Sequence, residues 1–174
     1  MSQLFMRRPH LNDLPPVPPL PSGMTLREAG PSDAPGLAAL LRSAFEDPSW
    51  TVERVRRELL NAPDVKATYV IVTGGVVIAT ASARLLPESY PDSGYVHWVA
   101  ALPDFRGKRL GFTVSLAVLH EFVRLGCRDA VLETDDFRLP ALKTYLGMGF
   151  QPEHRDETHA ARWEEVHRKL AAAP

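Results

Sequence analysis

The string Arg106-Gly107-Lys108-Arg109-Leu110-Gly111 constrains this chain more than any other stretch. It follows an apolar run, Tyr95 to Leu102, that stops at Pro103. It opens a long amphipathic segment, Leu110 to Leu125, with Leu110, Val114, Val118, Phe122 and Leu125 on one side. The order is therefore strand, tight glycine-bearing turn, helix. Such a turn points several backbone N–H groups at one spot, with the positive end of the helix dipole behind them. Gly107 and Gly111 put no side chain in a ligand's way, and Arg106, Lys108 and Arg109 add positive charge. The arrangement reads as a cradle for a phosphate or pyrophosphate. In isolation, a basic helix start on a solvated face also fits the string. The spacing is not that of a P-loop, which needs Gly-Lys-Ser/Thr after four intervening residues, nor the G-x-G-x-x-G of a dinucleotide site.

The 174 residues suit one domain with a sizeable core, and 45% hydrophobic with 24% charged residues reads as a soluble globular chain. A net charge of −1 argues against a general nucleic-acid binder. No apolar stretch reaches the ~18 residues of a membrane span, and the N-terminus lacks the apolar core of a secretion signal, so no membrane partner and a cytoplasmic location are expected. Cys127 is the single cysteine, which excludes an intramolecular disulfide and fits a reducing compartment. Six of the 16 prolines fall within residues 1 to 22, and these residues read as an extended, proline-rich arm without helix or central strand. Leu4, Phe5, Leu11, Leu14, Val17 and Leu20 interleave the prolines, so the arm is expected to pack on its own domain or on a neighbouring subunit. A homodimer stays open. Residues 23 to 174 are expected to form the domain proper.

Within it, Gly23 to Glu28 reads as a strand, Pro31 to Phe45 as a helix and Val52 to Leu60 as a second helix with Thr51 or Trp50 near its cap. Strands at Ala67–Thr73 and Val76–Leu85 join through Gly74-Gly75, a hairpin signal. After the central strand and the cradle helix come a strand at Asp129–Thr134, a helix at Leu139–Met148 and a strand starting at Phe150. Thr158 to Leu170, with Ala160, Trp163, Val166 and Leu170 at helical spacing, reads as a terminal helix. This order implies a mixed α/β (α+β) sheet with helices on its faces.

A second string, Ala141-Leu142-Lys143-Thr144-Tyr145-Leu146-Gly147-Met148-Gly149-Phe150, sits downstream of the first. Tyr145 stands four residues before Gly149-Phe150. The two strings, in this order and spacing, resemble motifs A and B of the GNAT superfamily of acyl-CoA-dependent N-acyltransferases. The likeness runs over roughly residues 24 to 154. Arg109 departs from motif A, which has glycine there; it still supplies its N–H if its φ is negative and its side chain turns outward, whereas a positive φ would strain a bulky residue. The resemblance implies a mostly antiparallel sheet of about six strands, splayed between the fourth and fifth, with acyl-CoA in the gap. The seventh strand usual in that fold is not visible near the C-terminus.

The resemblance also implies acetyl-CoA as co-substrate, no metal, and an amine, small-molecule or peptide, as acceptor. Arg106, Gly107, Lys108, Arg109, Leu110, Gly111, Phe112 and Thr113 would hold the pyrophosphate, with the N–H groups of Lys108 to Thr113 as donors. Val99 and Ala101 would hold the pantetheine arm through main-chain groups, with a backbone N–H near Val99 for the developing oxyanion. Tyr145 would protonate the leaving thiolate, since a phenol near pKa 10 matches a thiolate near ~8.5 once both are desolvated. For the base that takes the amine's proton, His97 has a suitable ordinary pKa, and Glu133, Asp135, Asp136, Glu88 and Asp92 are the carboxylate alternatives. Asp135-Asp136 reads as a turn and cap device, and Arg138 replaces an asparagine that often touches the cofactor in the family. His154, His159 and His167 read as surface residues without a metal-ligand spacing, and Trp50, Trp98 and Trp163 as packing residues, Trp163 with an alternative place in the acceptor wall. Two functions follow: an N-acetyltransferase, or a catalytically weak acyl-CoA-binding module that needs the cradle but not Tyr145.

Overall fold

The computed structural model describes residues 2–172. Seven strands form one sheet in the order β2-β3-β4-β5-β6-β1-β7. They are β1 (Leu4–Arg8), β2 (Met24–Glu28), β3 (Val65–Thr73), β4 (Val76–Leu85), β5 (Ser93–Ala101), β6 (Asp129–Thr134) and β7 (Gln151–Glu153). Every neighbouring pair is antiparallel except β5 with β6. The helices are α1 (Ala34–Phe45), α2 (Val52–Val55, continued by a π turn to Leu60), α3 (Leu110–Arg124), α4 (Leu139–Gly147) and α5 (His159–Ala172). Thr51 caps α2, its hydroxyl accepting from the Arg54 N–H at 3.1 Å.

The sheet is buried on both faces. On one, Val114, Val118 and Phe122 of α3 lie with Ala79, Ala81, Val96 and Leu132, and Leu142, Trp163 and Val166 of the later helices join the same cluster. On the other, Leu37, Leu40 and Leu41 of α1 pack with Val70, Val77 and Ala100. Small residues in β4 let α3 lie close. Gly94 at the start of β5 does the same, since a Cβ there would stand 2.2 Å from the Phe122 ring. This contact fixes α3, and so the cradle turn, against β5.

One expectation fails. Residues 1 to 22 do hold a central strand: β1 lies inside the sheet, pairing Leu4↔Thr134 through Arg8↔Ala130 on one side and Phe5↔Glu153 through Arg7↔Gln151 on the other. The proline argument applies only from Pro9 onward, and β1 ends one residue earlier. β1 is the seventh strand that the C-terminal sequence does not supply. Leu4, Phe5, Met6 and Leu11 are buried, and Leu14, Val17 and Leu20 pack against the main core. Trp163 is likewise a core residue of α5 and not part of the cavity wall.

Each of those four buried side chains is worth about 1.5–3 kcal/mol, together a large part of the ~5–15 kcal/mol that holds an ordinary domain folded. Truncation to start at Gly23 also strips hydrogen-bond partners from β6 and β7. The truncated chain is expected to lose its cooperative thermal transition by circular dichroism. A melting curve matching the full chain would contradict the interior position of β1.

Candidate active site

β5 and β6 pair in parallel only from Ser93↔Asp129 to Tyr95↔Val131, and then part. A cavity of about 660 Å³ opens where they diverge, between the cradle turn, the end of α1 and the start of α4. On the other edge of β5, Ser82↔His97 is followed by Thr80↔Ala100. Trp98 and Val99 therefore oppose the single residue Ala81, which is a β-bulge. Trp98 takes φ 49°, the left-handed region that a bulky residue enters only under constraint. The constraint is visible: Trp50 meets the Trp98 ring edge-on at 4.6 Å, Phe45 at 5.7 Å, and His97 stacks on it at 4.4 Å. The bulge breaks the β4 ladder beside Val99, which lines the cavity with Ala101.

The cradle forms as a turn into α3. Arg106 N–H bonds to Pro103 at 3.1 Å and Thr113 N–H to Arg109 at 3.0 Å. Between them, the N–H groups of Gly107 through Phe112 meet no main-chain carbonyl among the described residues. They are the unmatched donors of a helix start. Gly107 has φ 80°. Gly111 is different: a Cβ there would meet nothing within 4 Å, so the protein's own packing does not demand a glycine, and the bare backbone is left to a ligand. Arg106, Gly107, Arg109, Leu110 and Gly111 line the cavity. Three residues expected in the cradle do not line it. Lys108 is exposed, Phe112 faces a groove beside Leu14 and Pro15, and Thr113 is buried with its N–H and hydroxyl both spent on Arg109. Arg109 takes the strained of the two alternatives. Its φ is 55°, not negative, and its guanidinium stacks over Phe112 at 4.3 Å.

Tyr145 of α4 lines the opposite wall and is 6% exposed. Burial pushes its phenol well above the ordinary range, with Arg138 opposing weakly, so the hydroxyl keeps its proton at neutral pH. No hydrogen bond to that hydroxyl is made among the described residues.

His97 projects from β5 beside the bulge. Burial, then the Arg84 charge, push its pKa down from the usual 6.5 to about 4, against the pull of Asp64 and Glu58. Arg84 Nη1 lies 3.5 Å from His97 Nδ1. A guanidinium only donates, so Nδ1 accepts and the neutral ring carries its proton on Nε2. Of the carboxylates, Asp47, Glu133 and Asp135 line the cavity. Asp47 pairs with Arg54 at 3.1 Å and Asp135 with Arg138 at 3.4 Å. Glu133 accepts a hydrogen bond from Tyr90 at 3.1 Å and forms no ion pair among the described residues. Asp136 does not cap α4: it binds Arg162 of α5 at 2.9 Å. His159 is not a surface residue either; it is 1% exposed and pairs with Asp156 at 3.1 Å.

Comparison with known proteins agrees with this geometry. The family described as "Acetyltransferase (GNAT) family" matches residues 35–150. The chain belongs to that family. A mycothiol acetyltransferase of Tsukamurella paurometabola is 29% identical over 170 residues, taking in 90% of this chain and 58% of that protein. The chain thus spans little more than half the length of that relative. Among solved structures, a GCN5-related N-acetyltransferase from Sphaerobacter thermophilus superimposes with TM-score 0.67 at 22% identity, over 88% of this chain and 50% of that one. An aminoglycoside N-acetyltransferase in complex with CoA superimposes with TM-score 0.68 at 19% identity, over 80% of this chain and 95% of that one. At these identities the two structures speak to the fold, and the fold is the GNAT fold.

Sequence reasoning did not find every residue of the GNAT-family site. Phe45, Trp50, Trp98, Arg138 and Gln3 also line the cavity. The helical stripes read Phe45 as core, nothing in the sequence marks the bulge that turns Trp98, and Gln3 arrives only through the pairing of β1.

The His97 environment has a consequence for stability. Its folded pKa lies below its unfolded one, so between pH 6.5 and 4 the unfolded chain binds more protons and stability falls as pH falls. Carboxylates held below their usual range, such as Asp64, titrate mostly beneath that window. In His97→Gln the decline of melting temperature from pH 6.5 to about 4.5 is expected to be shallower than in the parent. Parallel curves would contradict the assignment.

Proposed function

We propose that this chain moves an acetyl group from acetyl-CoA to a primary amine, directly, with both substrates bound together. The observation that carries the reading is the continuity of one cavity, which runs from the unmatched N–H groups of the cradle past the β5 bulge to the Tyr145 hydroxyl. The residues fit the co-substrate. The N–H groups of Gly107, Arg109, Leu110 and Gly111, with Arg106, suit a pyrophosphate, and the open backbone at Gly111 leaves it room. Val99 and Ala101 suit an extended pantetheine arm, whose amides pair with main chain as another strand would. Acetyl-CoA supplies the activated acyl group; this chain's residues orient it and move protons. A backbone N–H at the bulge, near Val99, is the donor for the negative charge that develops on the carbonyl oxygen. Tyr145 returns a proton to the departing sulfur.

For the amine's proton, His97 is replaced by Glu133 in this reading. At a pKa of about 4, with Nδ1 turned to Arg84 and Nε2 already protonated, His97 is a weak base presenting a donor. Glu133 is the cavity carboxylate with no direct ion pair among the described residues, Arg155 reaching it only through the Tyr90 hydroxyl, so it attracts an ammonium group and relays its proton. The names of the relatives, mycothiol and aminoglycoside acetyltransferases, support a small polar amine as acceptor.

Two substitutions test the reading. Tyr145→Phe keeps the ring and removes the hydroxyl. Transfer to a good amine, followed as free thiol, is expected to fall by ~10²–10⁴-fold, the loss typical of a missing general acid, while CoA affinity barely changes. Full activity in the Phe variant removes Tyr145 from the mechanism; tight CoA binding without turnover on any amine in the parent protein favours a binding module. At Gly111 a Cβ meets nothing within 4 Å beyond its own helix, so Gly111→Val is expected to fold, with its side chain in the space of the phosphates. CoA affinity by calorimetry is expected to drop at least tenfold at unchanged melting temperature. Unchanged affinity contradicts the cradle.

A further inference from the structure

Arg138 is out of keeping with the other half-buried arginines. Arg7, Arg54, Arg84 and Arg162 each donate a hydrogen bond to a carboxylate. Arg138 donates none among the described residues, although it lines the cavity and its Nε is shut off from solvent. Its nearest anion, Asp135, comes to Nε at 3.4 Å without the geometry of a hydrogen bond and is shared with the Gln3 amide at 3.2 Å. The Nη groups hydrogen-bond to no partner among the described residues and remain open to the cavity. The buried Nε without a hydrogen bond is the costly donor, and the open Nη pair is free to meet a ligand.

The side chain is nonetheless held in place. Its guanidinium lies over the Phe45 ring at 4.6 Å, across the cavity from its own helix, and 5.7 Å from Phe137. Its backbone is pinned at both ends of the turn into α4: the Arg138 N–H bonds to Asp135 at 3.1 Å, and its carbonyl accepts from Leu142 at 3.0 Å. The cradle has its own cations, Arg106 and Arg109, on the turn before α3. Arg138 instead packs on Phe45, the last residue of α1, and Asp47 and Trp50 of the α1–α2 connection also line the cavity.

We propose that Arg138 seats an oxyanion of the acceptor, a carboxylate or a phosphate, so that the preferred acceptor is an amine that also carries negative charge. The inference rests on the acetyl-transfer reading above. A planar fork fixed over an aromatic ring suits a two-point contact with such a group. Glu133, five residues earlier on β6, is then the seat for the ammonium end of the same molecule. A doubly charged acceptor of this kind is held at two points, which orients its nitrogen.

The test uses acceptors that differ only in charge: an amino acid, its carboxamide, and an amine of matched length bearing a phosphate ester. In the full-length protein, kcat/KM for the carboxylate or the phosphate is expected to exceed that for the amide by about 10- to 100-fold, the worth of a charge-assisted pair at a partly exposed site. The preferred anion identifies which oxyanion is read. In Arg138→Gln the ratio is expected to collapse toward one, and in Arg138→Lys, which keeps the charge but loses the fork, to fall between. Turnover on amines without preference for the anionic acceptors overturns the inference and leaves acetyl transfer standing. So does an Arg138→Gln variant that loses activity on all three acceptors alike, or whose KM for acetyl-CoA rises as much as that for the acceptor, since Arg138 would then support the fold or the co-substrate. Absence of turnover on every amine overturns the transfer reading and this inference together.

Discussion

β5 and β6 share hydrogen bonds over three residue pairs and then separate, and the rest of the site depends on that parting. A parallel pair held along its full length would satisfy the main chain and leave no gap. Here the backbone of β5 beyond Tyr95 has lost its β6 partner, and the bulge at Trp98 and Val99 loosens it from β4 as well. Main-chain donors and acceptors left unmatched inside a protein need partners. An extended ligand with amide groups of its own would supply them. The same parting aims the cradle turn at one end of the gap and the start of α4, with Tyr145, at the other.

Keeping two strands apart requires that each be fixed from its far side. β5 is fixed by β4 and by α3, whose Phe122 presses on Gly94. β6 is fixed by β1, which pairs with five of its residues. Ion pairs reinforce that side: Arg7 of β1 reaches Asp129 of β6 at 2.9 Å and Glu153 of β7 at 2.8 Å. Arg162 of α5 bonds both to the Ser2 carbonyl at 2.8 Å and to Asp136 at 2.9 Å, and Ser2 also bonds to Asp156. The N-terminus, the β6–α4 connection and the terminal helix are thus tied into one wall of the cavity. The terminal helix closes no part of the cavity itself; it braces the wall that does.

The parts of this fold legible in the sequence are those whose determinants are local. The hairpin at Gly74-Gly75, the α3 stripe and the glycines of the cradle each carry their signal within a few residues. Strand β1 is five residues long and its partners lie more than a hundred residues away, so no local period announces it. The prolines that follow it invite reading the whole arm as unpaired. Arg109 at φ 55° illustrates another limit: the residue type argues for negative φ, and the turn into α3, with stacking on Phe112, overrides it. His97 has the composition of a general base, yet its burial and its contact with Arg84 exist only once β4 and β5 are in register. Arg138 is legible as a departure from the family pattern, but its empty donors are visible only in three dimensions.

We propose that the gap between β5 and β6 and the cradle beside it hold a single extended ligand through main-chain groups. Amide hydrogen exchange on the full chain, with and without CoA, tests it most directly. Binding is expected to slow exchange in two separate segments, residues 98 to 101 on β5 and residues 107 to 112 at the start of α3, with little change along the remote strand β2. CoA binding that leaves both segments at their free rates, or protects the cradle while β5 exchanges as before, would contradict it.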